Sequence, residues 1–437
     1  MLVLIALAVC AYLPALRLPF LEDDYVLIPM SRVYAAQNWV PLWHDLDFRT
    51  RPMQLFMNAA LDHALGYRPG PFYAANILLH VLCVLLVYAA GAWIELGASA
   101  AFWAAGFFAI YEGHQEAIMW PSGSSELFVF LFGMSAWVCW VKWLQGGGWR
   151  WYAAAIGAFV LALFSKESAV VFPLMMLIPV VADRTKLRRA LVGLAPLFAL
   201  TALYVGWIWF SRVAQPGYHD IRFSLSSPWP IVIAKSYWRM MFIWGLLAAA
   251  ILWWSGGPDR RMIWMSSLWM ILGILPYSFL TYMTQLPSRS TYVGSAGLAL
   301  LVGAAAARLW AASDLKAASD LKKVQRRRTL LVILSVVVLA TNLEILWVKK
   351  MSQFRERSEP SELLKQATAQ ARGPVTIECT PLLPIISQVV VEQAGGHVTG
   401  PQTRQGDHCF IVQYESRTGE LVRVNRAMST LKHGLFY

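Results

Sequence analysis

Apolar runs of membrane-crossing length, broken by short polar stretches, recur along the first 348 residues. A bilayer core takes about 20 mostly apolar residues per helix, with a range near 17 to 25. Eleven runs reach or approach that length: 1–20, 72–93, 98–112, 124–144, 151–164, 168–182, 190–210, 231–254, 262–283, 291–311 and 329–348. The runs 98–112, 151–164 and 168–182 are short, which predicts tilt, interfacial turns or partial re-entry. The first run has no basic segment ahead of it and no small-residue cleavage site, so it reads as a retained helix. After about residue 350 the pattern becomes that of a soluble chain. Residues 375–379 (VTIEC) predict a strand, and 382–394 an apolar helix closed by Gly395-Gly396. Residues 409–414 and 420–424 predict a hairpin around Arg417-Thr418-Gly419. The expected architecture is an all-α polytopic membrane domain over 1–348, with a small α/β cap over 349–437.

Composition supports this division. Charged residues are 14% of the 437 and hydrophobic ones 58%, where soluble domains carry about 25% charged residues. With 21 Trp, 21 Phe and 16 Tyr, the chain is rich in side chains that favour membrane interfaces. A water-soluble enzyme, a secreted disulfide scaffold and a disordered chain are excluded. The net charge of +12 needs no nucleic acid, because cytoplasmic loops of membrane proteins collect Lys and Arg. Of the five Cys, Cys10, Cys83 and Cys139 fall inside apolar runs; Cys379 and Cys409 are the two in the polar tail. No Cys/His spacing suits zinc.

The basic residues also orient the chain. One alternate set of short loops holds Arg150, then Arg184, Lys186, Arg188 and Arg189, then Arg260 and Arg261, and finally Lys316, Lys322, Lys323 and Arg326–Arg328. The opposite set holds little beyond Lys166, Arg212, Arg222 and Arg289. The basic set is therefore cytoplasmic, which places the N-terminus inside and, after eleven crossings, the C-terminal cap outside. An oxidising compartment there suits a Cys379–Cys409 disulfide.

With that topology, polar residues gather on the outer face. The first outer loop, 21–71, carries Glu22-Asp23-Asp24 and Arg49-Thr50-Arg51-Pro52, with Trp39, Trp43 and Phe48 suited to the interface. The second contains His114, Glu116, Trp120 and Glu126; the third is Ser165-Lys166-Glu167-Ser168; another holds Pro287-Ser288-Arg289 through Tyr292. Each has an ordinary reading by itself: a solvated helix end, a structural Lys166–Glu167 pair, an arginine snorkelling to headgroups. His114 and Glu116 alone are too few for a metal site. Their coincidence on one face points to function, since charges at the membrane centre cost about 2.5 to 3.5 kcal/mol each.

The order of these motifs resembles membrane glycosyltransferases of the GT-C class, especially bacterial relatives of the TMTC and PMT protein O-mannosyltransferases. Phe20-Leu-Glu-Asp23-Asp24-Tyr is similar to the family's acidic pair after the first helix. Arg51-Pro52 followed by Gly66, Asn76 and His80 is similar to its run into the second. His114-x-Glu116-Ala-x-x-Trp120-x-Ser-Gly123-x-x-Glu126-Leu, Ser165-Lys166-Glu167-x-Ala169 and Arg289-x-x-Tyr292 resemble its later motifs. Tyr111-Glu112, Ser124 and Glu126 depart from the family's His-Pro, Arg and Asp, and the tail lacks tetratricopeptide repeats.

The resemblance implies a hexosyl or mannosyl transferase in a bacterial inner membrane. It would take a sugar on polyprenyl phosphate and move it, with inversion, to a hydroxyl of a protein, lipid or glycan. Asp23 is the first choice for general base and Asp24 the orienter or alternative base. Lys166, Arg289, Arg51 and Arg239 would stabilise the departing phosphate. His114, Glu116, Glu167 and Tyr292 would line the substrate site. No metal is required, although an acidic pair beside a phosphate suits a divalent ion, and no nucleic acid is involved. A polymerase or ligase of lipid-linked glycans shares the donor, and a non-catalytic lipid-sugar flippase shares the cations. Against the flippase, the charges lie on one face and there are no paired inverted repeats. Reporter fusions at Lys323 and Gly400 are expected to report opposite compartments; a shared compartment contradicts eleven crossings.

Overall fold

The computed structural model describes residues 1–37, 39, 51–213, 224, 226–254, 260–280, 286–311, 318–400, 404–406 and 409–428. Trp43, Phe48, Arg49, Arg222 and Lys316 lie outside the described residues. The chain opens with α1 (Leu2–Tyr12), α2 (Asp24–Ala36), α3 (Pro52–Leu65), α4 (Pro69–Ala89) and α5 (Gly97–Ile110). A single turn, α6 (Gln115–Ile118), precedes α7 (Ser124–Leu144) and α8 (Trp149–Leu163). Two short helices, α9 (Phe172–Met175) and α10 (Ile178–Ala182), lead to α11 (Leu187–Val213). Then come α12 (Trp229–Met240), α13 (Leu246–Trp254), α14 (Arg260–Ile274), α15 (Tyr292–Ala311), α16 (Ala318–Glu344) and α17 (Met351–Gln370). The cap adds β1 (Ala371–Thr380), α18 (Pro384–Gln393), β2 (Arg404–Gln405), β3 (Cys409–Ser416) and β4 (Leu421–Ala427).

Among the described residues, six helical stretches are long and apolar enough to cross a membrane: Pro69–Ala92, Pro121–Leu144, Arg184–Phe210, Trp229–Trp254, Ser288–Ala311 and Val324–Gln370. Leu2–Arg17, Gly97–Ile110, Trp149–Leu163 and Glu167–Val181 are shorter apolar helices. Among the described residues each of the eleven expected runs falls mostly on helix, but six stretches rather than eleven reach spanning length, and two more runs are shorter than their hydropathy suggests. Pro14 ends α1 in a 3₁₀ turn, Leu13–Arg17, and Pro276 does the same to α14 at Leu275–Tyr277. The first outer loop also differs from expectation, since it contains the helices α2 and α3. Proline at the first turn starts α3 and α4.

Close backbone approach sets the bundle. A Cβ at Gly303 of α15 would lie 2.3 Å from the carbonyl oxygen of Ala100 on α5. One at Gly273 of α14 would lie 2.6 Å from the Cα of Gly294 on α15. Small residues of this kind are how helices pack where lipid removes the hydrophobic drive between them. They clamp α15 between α5 and α14, with Tyr292 as its first residue. Between α12 and α13 the chain breaks at Phe242 and at Ile243, whose φ of +66° is strained for a β-branched residue.

The helix from Val324 to Gln370 is continuous, so the division expected at residue 349 falls inside a rod that joins bundle to cap. The cap sheet has the order β2-β1-β3-β4, with β1 parallel to β2 and antiparallel to β3. Its core joins Leu364, Val375, Ile386, Val390 and Phe410 to Phe20, Tyr25, Ile28 and Phe72 from the start of the chain. The expected strand, helix and hairpin are all present. Cys379 and Cys409 form a disulfide, with Cα atoms 5.8 Å apart. Replacing both by Ser is expected to weaken the cap by about 3 to 4 kcal/mol in the chain-entropy model. Hydrogen exchange of the β1 and β3 amides measures this; unchanged protection contradicts it.

Candidate active site

The turn Leu21–Asp24 carries the acidic trio, and its three carboxylates have different partners. Asp24 is fully buried. Its Oδ2 accepts from the Leu21 N–H at 2.9 Å, and its Oδ1 accepts from Ser122 N–H at 2.8 Å and Ser122 Oγ at 2.5 Å. Ser122 is itself fixed: Gln54 Nε2 donates to its carbonyl at 2.9 Å, and Asn76 Nδ2 donates to the Trp120 carbonyl at 3.0 Å. Gly123 permits this, because a Cβ there would meet the Glu116 carbonyl oxygen at 2.4 Å. Burial pushes the Asp24 carboxyl up to about 7 against these hydrogen bonds.

Glu22 is 4% exposed and holds a left-handed φ of +35°. The Arg357 guanidinium grips it as a fork, with Nε to Oε1 at 3.1 Å and Nη2 to Oε2 at 2.9 Å. Asp23, between these two, accepts no side-chain hydrogen bond among the described residues. Burial and the neighbouring Glu22 raise its carboxyl above the usual range, while Arg289, Arg51 and Arg357 pull against them.

The cations divide in the same way. Arg289 and Arg357 both approach the Trp120 ring, at 4.8 and 4.9 Å from its centroid. Glu116 Oε2 accepts from the Arg289 backbone N–H at 3.2 Å. Burial raises the Glu116 carboxyl, but Arg289 and Arg357 outweigh it and leave it below the usual range. Lys166 Nζ lies 2.5 Å from Glu126 Oε1, and Tyr277 Oη donates to the other oxygen of Glu126. Burial holds the Lys166 ammonium below its usual range despite Glu126. Glu167 lies within electrostatic reach of Lys166 and of Arg51. Arg51 immediately precedes α3; burial opposes its charge, yet Glu167, Glu126 and Asp23 raise it overall. Arg239 sits at the end of α12, near Tyr111, Glu116 and Glu112. Among the described residues Arg51, Arg239 and Arg289 form no salt bridge.

His114 and Tyr292 are both fully buried, so they lie beneath this polar face. His80 Nε2 donates to the Ala109 carbonyl at 3.1 Å, leaving Nδ1 to accept from Tyr292 Oη at 2.7 Å. Ser295 Oγ donates to the Tyr292 carbonyl at 2.7 Å and accepts from His114 Nε2 at 2.6 Å. Phe108 packs against this pair, tilted on His114 and edge-on to Tyr292. These residues brace the start of α15, and with it Arg289. A separate apolar cavity of about 360 Å³ lies among α1, α5, α13, α15 and α16, with Ile110 and Phe107 in its wall. Among the described residues no three His, Cys, Asp or Glu side chains group as metal ligands.

Among solved structures, this chain is similar to ArnT from Cupriavidus metallidurans bound to undecaprenyl phosphate. The identity is 17%, the TM-score 0.56, and the match covers 90% of this chain and 84% of that one. The apo state of the same ArnT gives 15% identity and a TM-score of 0.56, over 91% of this chain and 84% of that one. The fold is that of ArnT. No family model matches the chain. No curated protein matches it.

Sequence reasoning misses Arg357, because it lies in a stretch that reads as soluble tail. It also misses Ser122 and the roles of Trp120, Glu126 and Tyr277; the first three of these four sit inside the quoted motif, which was the available signal. The unequal bonding of the carboxylates gives a direct test. Asp24→Asn offers one acceptor where two are used, leaving a buried donor unmatched at a cost of about 1–3 kcal/mol. Thermal unfolding in detergent is expected to show that loss, while Asp23→Asn stays near the parent midpoint. Equal midpoints contradict the assignment.

Proposed function

We propose that the chain is a GT-C-type glycosyltransferase that moves a sugar from a polyprenyl-phosphate donor to an acceptor hydroxyl on the outer face of a bacterial inner membrane. The observation that carries the reading is the Asp23 carboxylate, without a side-chain hydrogen bond among the described residues, within electrostatic reach of two guanidiniums, Arg51 and Arg289, that form no salt bridge among those residues. ArnT is a GT-C glycosyltransferase, and one of its solved structures holds undecaprenyl phosphate, which supports a lipid-linked donor. The motif order shared with the TMTC and PMT relatives supports a mannosyl-type sugar and a protein acceptor. The Lys and Arg asymmetry supports eleven crossings, an inside N-terminus and an outside cap.

In this reading the acceptor oxygen attacks the anomeric carbon as its proton passes to Asp23. The bond from that carbon to the phosphate oxygen breaks, and the lipid phosphate leaves with the electron pair. Attack from the face opposite the phosphate inverts the centre. Arg289, stacked on Trp120, and Arg51 take the negative charge that develops on the phosphate. Arg239 extends this cationic face, and the apolar cavity behind Ile110 offers room for isoprene units. Asp24 orients, through Ser122, the turn that carries the base. Glu116 and Glu167 steer the cations. Lys166, paired to Glu126, is a weaker phosphate ligand than its charge suggests. His114 and Tyr292 act by bracing α15.

Proteoliposomes given undecaprenyl-phosphate hexoses and membrane-extract acceptors are expected to yield glycosylated products by mass spectrometry. Asp23→Asn is expected to lower transfer by about 10² or more, the usual scale of general-base catalysis. The parent rate is expected to rise with pH as Asp23 loses its proton, at a pH above that of an ordinary aspartate, and Asp23→Asn flattens the rise. Arg289→Ala is expected to raise the donor KM, with partial recovery in Arg289→Lys, because the planar fork is lost. Full transfer by an Asp23→Asn, Asp24→Asn double variant sinks the mechanism.

A further inference from the structure

We infer that Arg357, carried by the helix that leads into the cap, is a positioning residue that holds the general base in place. The inference rests on the transfer reading above. Glu22 precedes Asp23, and its φ of +35° is a conformation that non-glycine residues hold only when their surroundings enforce it. The enforcing group is the Arg357 fork, at 3.1 and 2.9 Å, on a carboxylate that is 4% exposed. On the far side of Asp23 the turn is pinned again, by Asp24 N–H to the Leu21 carbonyl at 2.7 Å and by the bonds from Asp24 to Leu21 and Ser122. Asp23 is thus a side chain with no hydrogen bond among the described residues, on a backbone fixed at both flanks.

The same guanidinium lies against Trp120, the ring that also seats Arg289. Arg357 therefore sets the base and the phosphate-facing cation to one reference point. Its own charge is occupied by Glu22, so it does not compete for the donor. Seven residues further along the same helix, Leu364 joins the cap core to Phe20, Tyr25 and Ile28, which flank the turn. Cap docking and base placement are one mechanical unit. An Arg–carboxylate fork supplies the geometry this needs, and a lysine point charge does not.

The test uses full-length protein in proteoliposomes with the undecaprenyl-phosphate hexose that the parent accepts. Arg357→Lys keeps the charge and the fold but loses the fork. It is expected to lower kcat by tenfold or more, with the donor KM within about threefold of the parent. Glu22→Gln is expected to give the same kcat loss, and the double variant no more than either alone, because both changes release one turn. A second readout separates positioning from folding: the pH dependence of kcat shifts in Arg357→Lys as Asp23 leaves its neighbours, while the melting midpoint stays close to the parent's. A raised donor KM at parent kcat makes Arg357 a donor ligand and overturns the inference, and unchanged kcat and KM do so as well. Additive losses in the double variant also overturn it. A parent protein that transfers no sugar instead overturns the functional reading itself.

Discussion

Three consecutive carboxylates follow an apolar helix here, and their removal from water governs everything built around them. A buried charge is tolerated when it is paired or fully hydrogen-bonded, and removing one partner of a buried pair costs about 3 to 5 kcal/mol. Glu22 meets that condition with Arg357 and Asp24 meets it with Leu21 and Ser122. Glu126 meets it with Lys166 and Tyr277. Asp23 is the member left without a hydrogen bond among the described residues. It stays ionisable because guanidiniums stand near it at no closer than electrostatic range. A carboxylate in that state can accept a proton, since no bond must first be broken.

The bundle beneath has to be rigid for such a balance to hold. Arg289 stands three residues before Tyr292, the first residue of α15, so its placement follows from how α15 is seated. Gly303 and Gly294 bring that helix within backbone contact of its neighbours, and Tyr292 and Ser295 lock its start to His80 and His114. Loosening the helix by one methyl group at Gly303 would shift the guanidinium relative to Trp120. The apolar layer and the charged face are coupled through a single helix.

The membrane class, the cap elements and the Cys379–Cys409 bridge were legible in the sequence because each has a local signal: run length, alternation, or an isolated pair of residues. The acidic pair and the cations were legible as a set, since charges beside apolar runs are costly. Their roles were not. What distinguishes Asp24 from Asp23 is a backbone N–H and a hydroxyl from Ser122, brought from 98 residues away. His114 and Tyr292 carry motif positions, yet the motif does not say that they face inward. Helix breaks at Pro14 and Pro276 were visible as prolines, but hydropathy averages over them. Arg357 had no signal of its own, because its partner Glu22 is 335 residues distant.

That distance is also an argument about how the two parts of the chain work together. A cap tethered by a flexible linker leaves the membrane face able to assemble alone. Here the connection is helical from Val324 to Gln370, and the cap core is completed by Phe20 and Tyr25 on either side of the acidic turn. Phe20 and Tyr25 share one buried cluster with cap residues, and Glu22 is paired by Arg357 of the helix that leads into the cap. The unpaired alternative leaves a desolvated carboxylate in a left-handed backbone beside two exposed aromatic rings. Each term disfavours an undocked cap. The acidic turn is therefore a joint between two structural units, and the residue at its centre is the one whose chemistry the joint holds ready.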